Sequence, residues 1–475
     1  MDYREDLLKL ASYLEALIHA KASGEIVLSR LKGLILGLSG GFDSTCLFHL
    51  LLRAREALAL EIKVAHVAYG LRNEDSERDF LFIEKLCKRN NVQLLLHEVD
   101  AAKKRDLLDG NLQDKARKIR FEFFEKMTQK YNMPCALAHN ANDQVETFFL
   151  NLLRGAGLKG LAGMKVVRGR YFRPLLKTSR NEIEKYLTRL GHSARRDKSN
   201  YGRKYRRNKI RQDLLPVLNE IEAACLSRIH SSMDIIALED QFLDRVSRGE
   251  QSNIERREPG AGRSLNCTGL NGIDKSIARR ILKSILEEIF GKAHGYTKRL
   301  VDELLVLSRE GKEGAKSSKR GEYEIAKSRG RLYFMPKIVY KNEKVLPKSN
   351  ATIDLNGFEF DISPRGLRRT CFDEQSYDER LCLSLSGIKG NLRVHVPKAG
   401  MRFYPSGGSG RTKVFRYLSN EKVPLPLRKI WPIVSDDGGI LWIAGLRMSE
   451  RAMLECNGDC LEIILRASAK ELCNR

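Results

Sequence analysis

Ser39-Gly40-Gly41-Phe42-Asp43-Ser44 decides the fold. Before it, Gly33 to Leu38 is an apolar run that reads as a buried strand, and after it Thr45 to Ala59 is long and apolar enough for a helix. A strand, two glycines and a helix start make an anion site, because the helix N-terminus offers unpaired N–H groups and the positive end of its dipole. Gly40 and Gly41 lack Cβ atoms, so phosphate oxygens can approach the backbone. Ser39 and Ser44 add hydroxyl donors, and Asp43 can cap the helix or hold a metal ion. Taken alone, two glycines also fit an ordinary strand-to-helix turn. No Gly-Lys-Ser/Thr follows them, which excludes the Walker loop.

Working outward, Ile62 to Tyr69, Val92 to Val99 and Cys135 to His139 read as strands. Between and after them, Glu74 to Asn90, Asn111 to Lys130 and Asn142 to Arg154 read as helices, and Leu7, Leu10, Leu14 and Ile18 suggest another over residues 2–20. The alternation predicts an α/β domain with a doubly wound, mostly parallel sheet. Ligands of such sheets bind at the carboxyl ends of the strands, where Ser39, His66 and His139 fall. His66, with Arg72 beyond it, can contact a base or phosphate, although a satisfied structural histidine is the plainer reading. Arg117 and Arg120 share a helix face, and their forks suit phosphate or carboxylate. Asp143 and Glu146 also share a face, and two carboxylates there can hold Mg²⁺ or the ammonium of an amino acid. Arg154 to Met164 carries four glycines and two cations, suiting a loop that closes over an anion.

The chain of 475 residues has 85 Lys and Arg against 60 Asp and Glu, a net charge of +25 that points to a polyanion, nucleic acid first. Residues 195–211 concentrate this charge: nine Lys or Arg, among them Arg206, Arg207 and Arg211, stand against Asp197 and are interleaved with Tyr201 and Tyr205. That mixture suits single-stranded or looped RNA. No run of 18 apolar residues argues for a membrane span, and the acidic N-terminus lacks a signal-peptide core. Ten cysteines without a Cys-x-x-Cys argue for free thiols in a reducing cytoplasm.

The hexapeptide at 39–44 resembles the PP-loop of the N-type ATP pyrophosphatases, which share a HUP-like fold. The order of motifs narrows this. His66-Val67-x-x-Gly70-Leu71-Arg72, Ala116-Arg117-x-x-Arg120-Phe121, His139 to Thr147, Arg154 to Met164, Arg173-Pro174-Leu175-Leu176, Asp197 to Asn200 and Arg207 to Arg211 follow in turn. The set resembles the tRNA(Ile)-lysidine synthetase family, over most of residues 30–218 and part of 395–450. The resemblance implies ATP-driven adenylation of the wobble cytidine at C2 in a CAU-anticodon tRNA(Ile), then attack by free L-lysine to give lysidine, with Mg²⁺ assisting. It assigns ATP to Ser39, Gly40, Gly41, Phe42, Asp43, Ser44 and His66, and metal to Asp43. Asp43, Arg117 and Asp143 become the catalytic candidates, and Arg120, His139, Glu146, Arg154, Arg206, Arg207 and Arg211 the lysine or tRNA contacts.

Where the family usually shows His-His-x-Asp-Asp-Gln, this chain has His139-Asn140-Ala141-Asn142-Asp143-Gln144, which leaves more of the negative charge to Asp143 and Glu146. The expected organisation is a catalytic domain over 1–218, a small helical tRNA-positioning domain with a basic hairpin over 219–345, and an α+β tRNA-binding domain over 346–475. A homodimer is the assembly considered, with no membrane partner. Competing readings are a tRNA thiolase, which would need a persulfide or cluster cysteine near the site, and a non-catalytic RNA-binding protein.

Overall fold

The computed structural model describes residues 33–58, 60–70, 73–100, 112–191, 206–291, 298–317, 323–337, 341–365, 379–408, 410–453 and 459–466. The helix expected over 2–20, Arg72 and the basic residues up to Tyr205 lie outside them. The chain divides into two compact units, Met1–Gln241 and Phe242–Arg475, with the boundary inside a long helix, Cys225–Ile254. Among the described residues, no helix is long and apolar enough to cross a membrane.

In the first unit, β1 (Gly33–Gly37), β2 (Glu61–Ala68), β3 (Gln93–Glu98), β4 (Cys135–Ala136), β5 (Val167–Arg168) and β6 (Tyr171–Phe172) form one sheet in the order β3-β2-β1-β4-β6-β5. All pairings are parallel except the β5–β6 hairpin. The helices of this unit include α1 (Phe42–Leu58), α2 (Asn73–Arg89), α3 (Leu112–Tyr131), α4 (Ala141–Leu152) and α5 (Arg180–Arg189). Side chains alternate across a strand. Accordingly Leu34 and Leu36 of β1 join Phe48, Leu51, Ile83 and Leu187 in one core, while Ile35 joins Val67, Phe123 and Phe124 in another. Both faces are covered, which is why β1 reads as a continuous apolar run. A Cβ on Gly37 would stand 2.8 Å from Phe124, so α3 packs against β1 only because that position is bare. Winding reverses between β1 and β4, and this switch point opens a crevice at the strand ends.

The second unit holds two hydrophobic cores. In the first, α6 (Lys275–Phe290) and α7 (Lys298–Glu310) pack Ile281, Leu282, Ile285, Leu304 and Leu305 against Leu265, Leu332 and Phe334. These last three sit on an antiparallel sheet made by β7 (Glu255–Glu258), β8 (Gly262–Asn266), β9 (Tyr323–Ser328) and β10 (Arg331–Pro336), ordered β7-β8-β10-β9. The sheet departs from the expectation of a small helical domain with a basic hairpin. The sequences Glu-Arg-Arg-Glu and Gly-Arg-Ser-Leu-Asn carry too little apolar alternation to announce β7 and β8. The second core surrounds Phe358, Phe360, Trp431 and Trp442, between a five-stranded and a four-stranded sheet. In the four-stranded sheet, Ala351–Leu355 pairs with Phe358–Arg365 around Asn356 and Gly357, both at positive φ (56° and 82°). Asn-Gly is the pair that a two-residue hairpin turn demands.

Candidate active site

The loop after β1 is built to stay open. Gly40 adopts φ +82°, a left-handed conformation that costs a side-chain-bearing residue energy. Above Gly41 the space is clear: a Cβ there would meet only the Ser39 hydroxyl, at 3.7 Å. Ser44 braces the turn. Its Oγ accepts from the Ser39 N–H (3.2 Å), donates to the Gly41 carbonyl (3.1 Å) and lies 3.1 Å from the Ser39 hydroxyl. Thr45 Oγ1 donates to the Gly40 carbonyl at 3.3 Å. The helix begins at Phe42, three residues earlier than the apolar run suggests, so its first turn lies directly behind the glycines. His66 Nδ1–H donates to the Leu38 carbonyl at 2.9 Å, tying the end of β2 to the approach of the loop. Burial lowers the pKa of His66, so the ring is neutral and Nε2 keeps its lone pair.

The opposite wall of the crevice is the start of α4. Asn140 caps it: Oδ1 accepts from the Asp143 N–H (3.0 Å), and Asp143 Oδ2 accepts from the Asn140 N–H (3.1 Å). The other half of the Asn140 amide, Nδ2, donates to Asp43 Oδ1 at 2.9 Å and joins α4 to the phosphate loop. Burial and the neighbouring Asp143 charge raise the pKa of Asp43, while the Asn140 bond, Arg180 and Arg211 pull it down. Asn142 Oδ1 accepts the Arg180 N–H at 3.0 Å. The two departures from the family pattern thus have definite work here: one amide serves as donor and acceptor at once, and the other needs only its oxygen.

Asp143 and Glu146 meet Arg207 and Arg211 in a compact quartet. The Glu146 side chain is fully buried, and its oxygens accept from Arg207 Nε (2.6 Å) and Arg211 Nε (2.5 Å). Asp143 Oδ1 accepts from the terminal nitrogens of the same arginines, at 2.8 and 3.3 Å. The arginines stand four apart, on a helical turn (Arg206–Lys209) that runs into a π-helical turn (Ile210–Leu214). Ile210 and Leu215 anchor this segment on Val145 of α4. Burial works against the Arg207 cation, but Asp143 and Glu146 more than offset it, and its pKa lies above the usual arginine value.

The remaining candidates divide. Arg117 stacks over Phe121 (4.9 Å to the ring centre); burial, Arg120 and Arg207 lower its pKa, against Asp114 and Asp143. His139 follows β4 and stays neutral: burial drives its pKa down to about 3, the charge of Asp143 opposes this, and Arg173, Arg207 and Arg117 add to it. Its buried Nδ1 has no hydrogen-bond partner. Arg154 and Arg206 are exposed and stand outside the quartet. In the glycine-rich stretch, Leu158–Leu161 forms a helical turn, and Met164 is held by Gln144 through two backbone bonds of 2.7 and 2.8 Å. Arg173, which the motif reading quoted without assigning a role, is buried among these groups. Its signal in the sequence was an arginine directly after the strand pair Tyr171-Phe172.

Residues 13–218 match the model of the PP-loop domain, and residues 392–464 that of the TilS substrate C-terminal domain. The tRNA(Ile)-lysidine synthase of Caldanaerobacter subterraneus is 31% identical over 448 residues, covering 91% of this chain and 93% of the relative. The chain belongs to the tRNA(Ile)-lysidine synthase family. The synthase of Bacillus subtilis is 28% identical, covering 88% of this chain and 91% of its own. Among solved structures, the U34-tRNA thiolase NcsA from Methanococcus maripaludis aligns with 49% of this chain and 80% of its own at 14% identity (TM-score 0.40). A TilS C-terminal domain aligns with 26% of this chain and 99% of its own at 24% identity (TM-score 0.23).

Proposed function

We propose that this chain uses ATP to join free L-lysine to C2 of the wobble cytidine of a CAU-anticodon tRNA(Ile), giving lysidine and moving codon reading from AUG to AUA. The observation that carries this reading is the open phosphate loop at the β1–β4 switch point, bonded through Asn140 to a wall that holds both acids and arginines. ATP use follows from the PP-loop domain. The bare amides around Gly40 and Gly41 take the polyphosphate, and Arg117 and Arg120 steady the α-phosphate or the base turned out to meet it. Asp143 and Glu146 are the anionic groups available to the lysine α-ammonium, once Arg207 and Arg211 turn to RNA phosphate. The attacking amine must be neutral, and the surrounding cations lower its pKa.

Asp43 and Asp143 repel each other in a partly buried corner, and a cation there would relieve that repulsion. Asp43 therefore fits Mg²⁺, held together with phosphate oxygens and water. When bound, the ion would offset charge on the leaving pyrophosphate. Residues 219–345 and 346–475 supply tRNA contacts in this reading, and a homodimer is its assembly.

A thiolase is disfavoured by the thiols near the loop. Cys46 is buried with its pKa pushed up to about 12, and Cys135 is buried and raised as well, so neither offers a thiolate. The deciding experiment incubates the full chain with tRNA(Ile) transcript, ATP, Mg²⁺ and labelled lysine. Label bound to tRNA supports the reading; label from sulfide alone, or no product with any pair, overturns it.

A further inference from the structure

Arg173 lies one residue past the last paired positions of β4 and β6, Ala136 and Phe172, at the carboxyl end of the sheet beside Leu137. It is only 6% exposed. One terminal nitrogen donates to the Lys165 carbonyl at 3.0 Å, and Nε is buried with no partner. Among the described residues no carboxylate forms an ion pair with it. The largest electrostatic influences on it come from Arg168 and Arg117, both cations, and from Cys135 and Tyr171, which favour its charge but are buried or half-buried and held protonated. Burial and these cations bring its pKa down to about 10, which still leaves it protonated at neutral pH. His139, at the end of the adjacent strand, feels the Arg173 charge and also presents a buried, unpartnered ring nitrogen. Buried charges are ordinarily paired, and buried donors ordinarily bonded. Two unmet groups on neighbouring strand ends call for a counter-ion that the described residues do not supply.

We infer that Arg173, with His139 beside it, forms an oxyanion subsite that is completed by a substrate, through either the carboxylate of the amino acid or a phosphate of the nucleotide. This rests on the reading of the site given above, and it adds a residue and a ligand group to it. A guanidinium fork with one nitrogen tied to Lys165 is fixed in orientation, as recognition of a planar or tetrahedral oxyanion requires.

The test compares wild type with Arg173→Gln and Arg173→Lys. KM and kcat are measured with lysine, ATP and tRNA varied separately, and cadaverine, which lacks the carboxylate, is run beside lysine. Loss of one charge-assisted contact predicts that Arg173→Gln raises the KM of one small substrate by about ten- to a hundredfold, with Arg173→Lys intermediate. If the carboxylate is the ligand, the KM for lysine rises and the preference for lysine over cadaverine disappears. If phosphate is the ligand, the KM for ATP rises and that preference survives. Unchanged KM values for both small substrates overturn the inference. So does a uniform loss of kcat that tracks a lower melting temperature, which would make Arg173 a structural brace. Absence of product from the wild-type enzyme would instead defeat the underlying reading.

Discussion

Replacing Glu146 by Ala tests the quartet directly. The Glu146 side chain is fully buried, and it is the acceptor for Nε of both Arg207 and Arg211. Removing one partner of a buried ion pair costs about 3–5 kcal/mol, because the other charge is left uncompensated. Two features reduce that figure here. The arginine side chains are 30% and 28% exposed, so water screens part of the loss, and Asp143 remains as an acceptor for both. The net expectation is a loss of about 2–3 kcal/mol. For a unit of this size that corresponds to a fall of roughly 5–10 °C in its melting temperature. Calorimetry of the full chain, following the transition of the first unit, measures it, and urea unfolding provides a second reading. Glu146→Gln, which keeps shape and one acceptor oxygen, should fall between. In a double-mutant cycle with Arg207→Gln, the pair should show coupling of about 1 kcal/mol or more. A melting temperature for Glu146→Ala within about 1 °C of wild type would refute the argument that this carboxylate holds the 206–214 segment in place.

Asp43→Ala should abolish pyrophosphate release while leaving tRNA affinity within a few-fold, as filter binding would report; undiminished release removes Asp43 from the chemistry. Gly40→Ala forces a side chain into φ +82°, a strain of about 1–2 kcal/mol. It should raise the KM for ATP, and an unchanged KM would show that the loop does not touch the nucleotide. His139 has a folded pKa of about 3 against an ordinary value of 6.5, so below pH 6.5 the unfolded chain takes up a proton that the folded chain refuses. Its contribution to stability is therefore present above that value and is lost as pH falls toward 3. Unfolding free energies of wild type and His139→Gln from urea titrations should diverge over this window with a slope of at most about 1.4 kcal/mol per pH unit, and parallel curves would contradict the assignment.

The strand–glycine–helix core was legible because each part carries its own signal. β1 is apolar on both faces, as a doubly covered strand must be, and two adjacent glycines precede a helix-length apolar run. The places of Ser39, His66 and His139 at or near strand ends followed from the alternation of elements. The pairing of Glu146 with Arg207 did not, since no local pattern links residues 61 positions apart. Both had been singled out, one as a lysine contact and one as an RNA contact, and only the fold shows that they share a bond. Asn140 looked like a lost imidazole; its bond to Asp43 depends on how close α4 comes to the loop. The Asn356-Gly357 pair is a hairpin signal, but the flanking residues carry the alternating pattern straight through it. The sheet under α6 and α7 was hidden by charged strands whose apolar partners lie elsewhere in the chain.

The distance between the acids and their arginines also has a consequence for biogenesis. Chains emerge from the ribosome at about 5–20 residues per second, so the 61 residues between Glu146 and Arg207 take roughly three to twelve seconds to appear. Throughout that interval the nascent α4 must keep two carboxylates in water and cannot complete the contacts around Val145. The newborn chain therefore carries an unfinished, locally acidic surface until its own basic segment arrives to seal it.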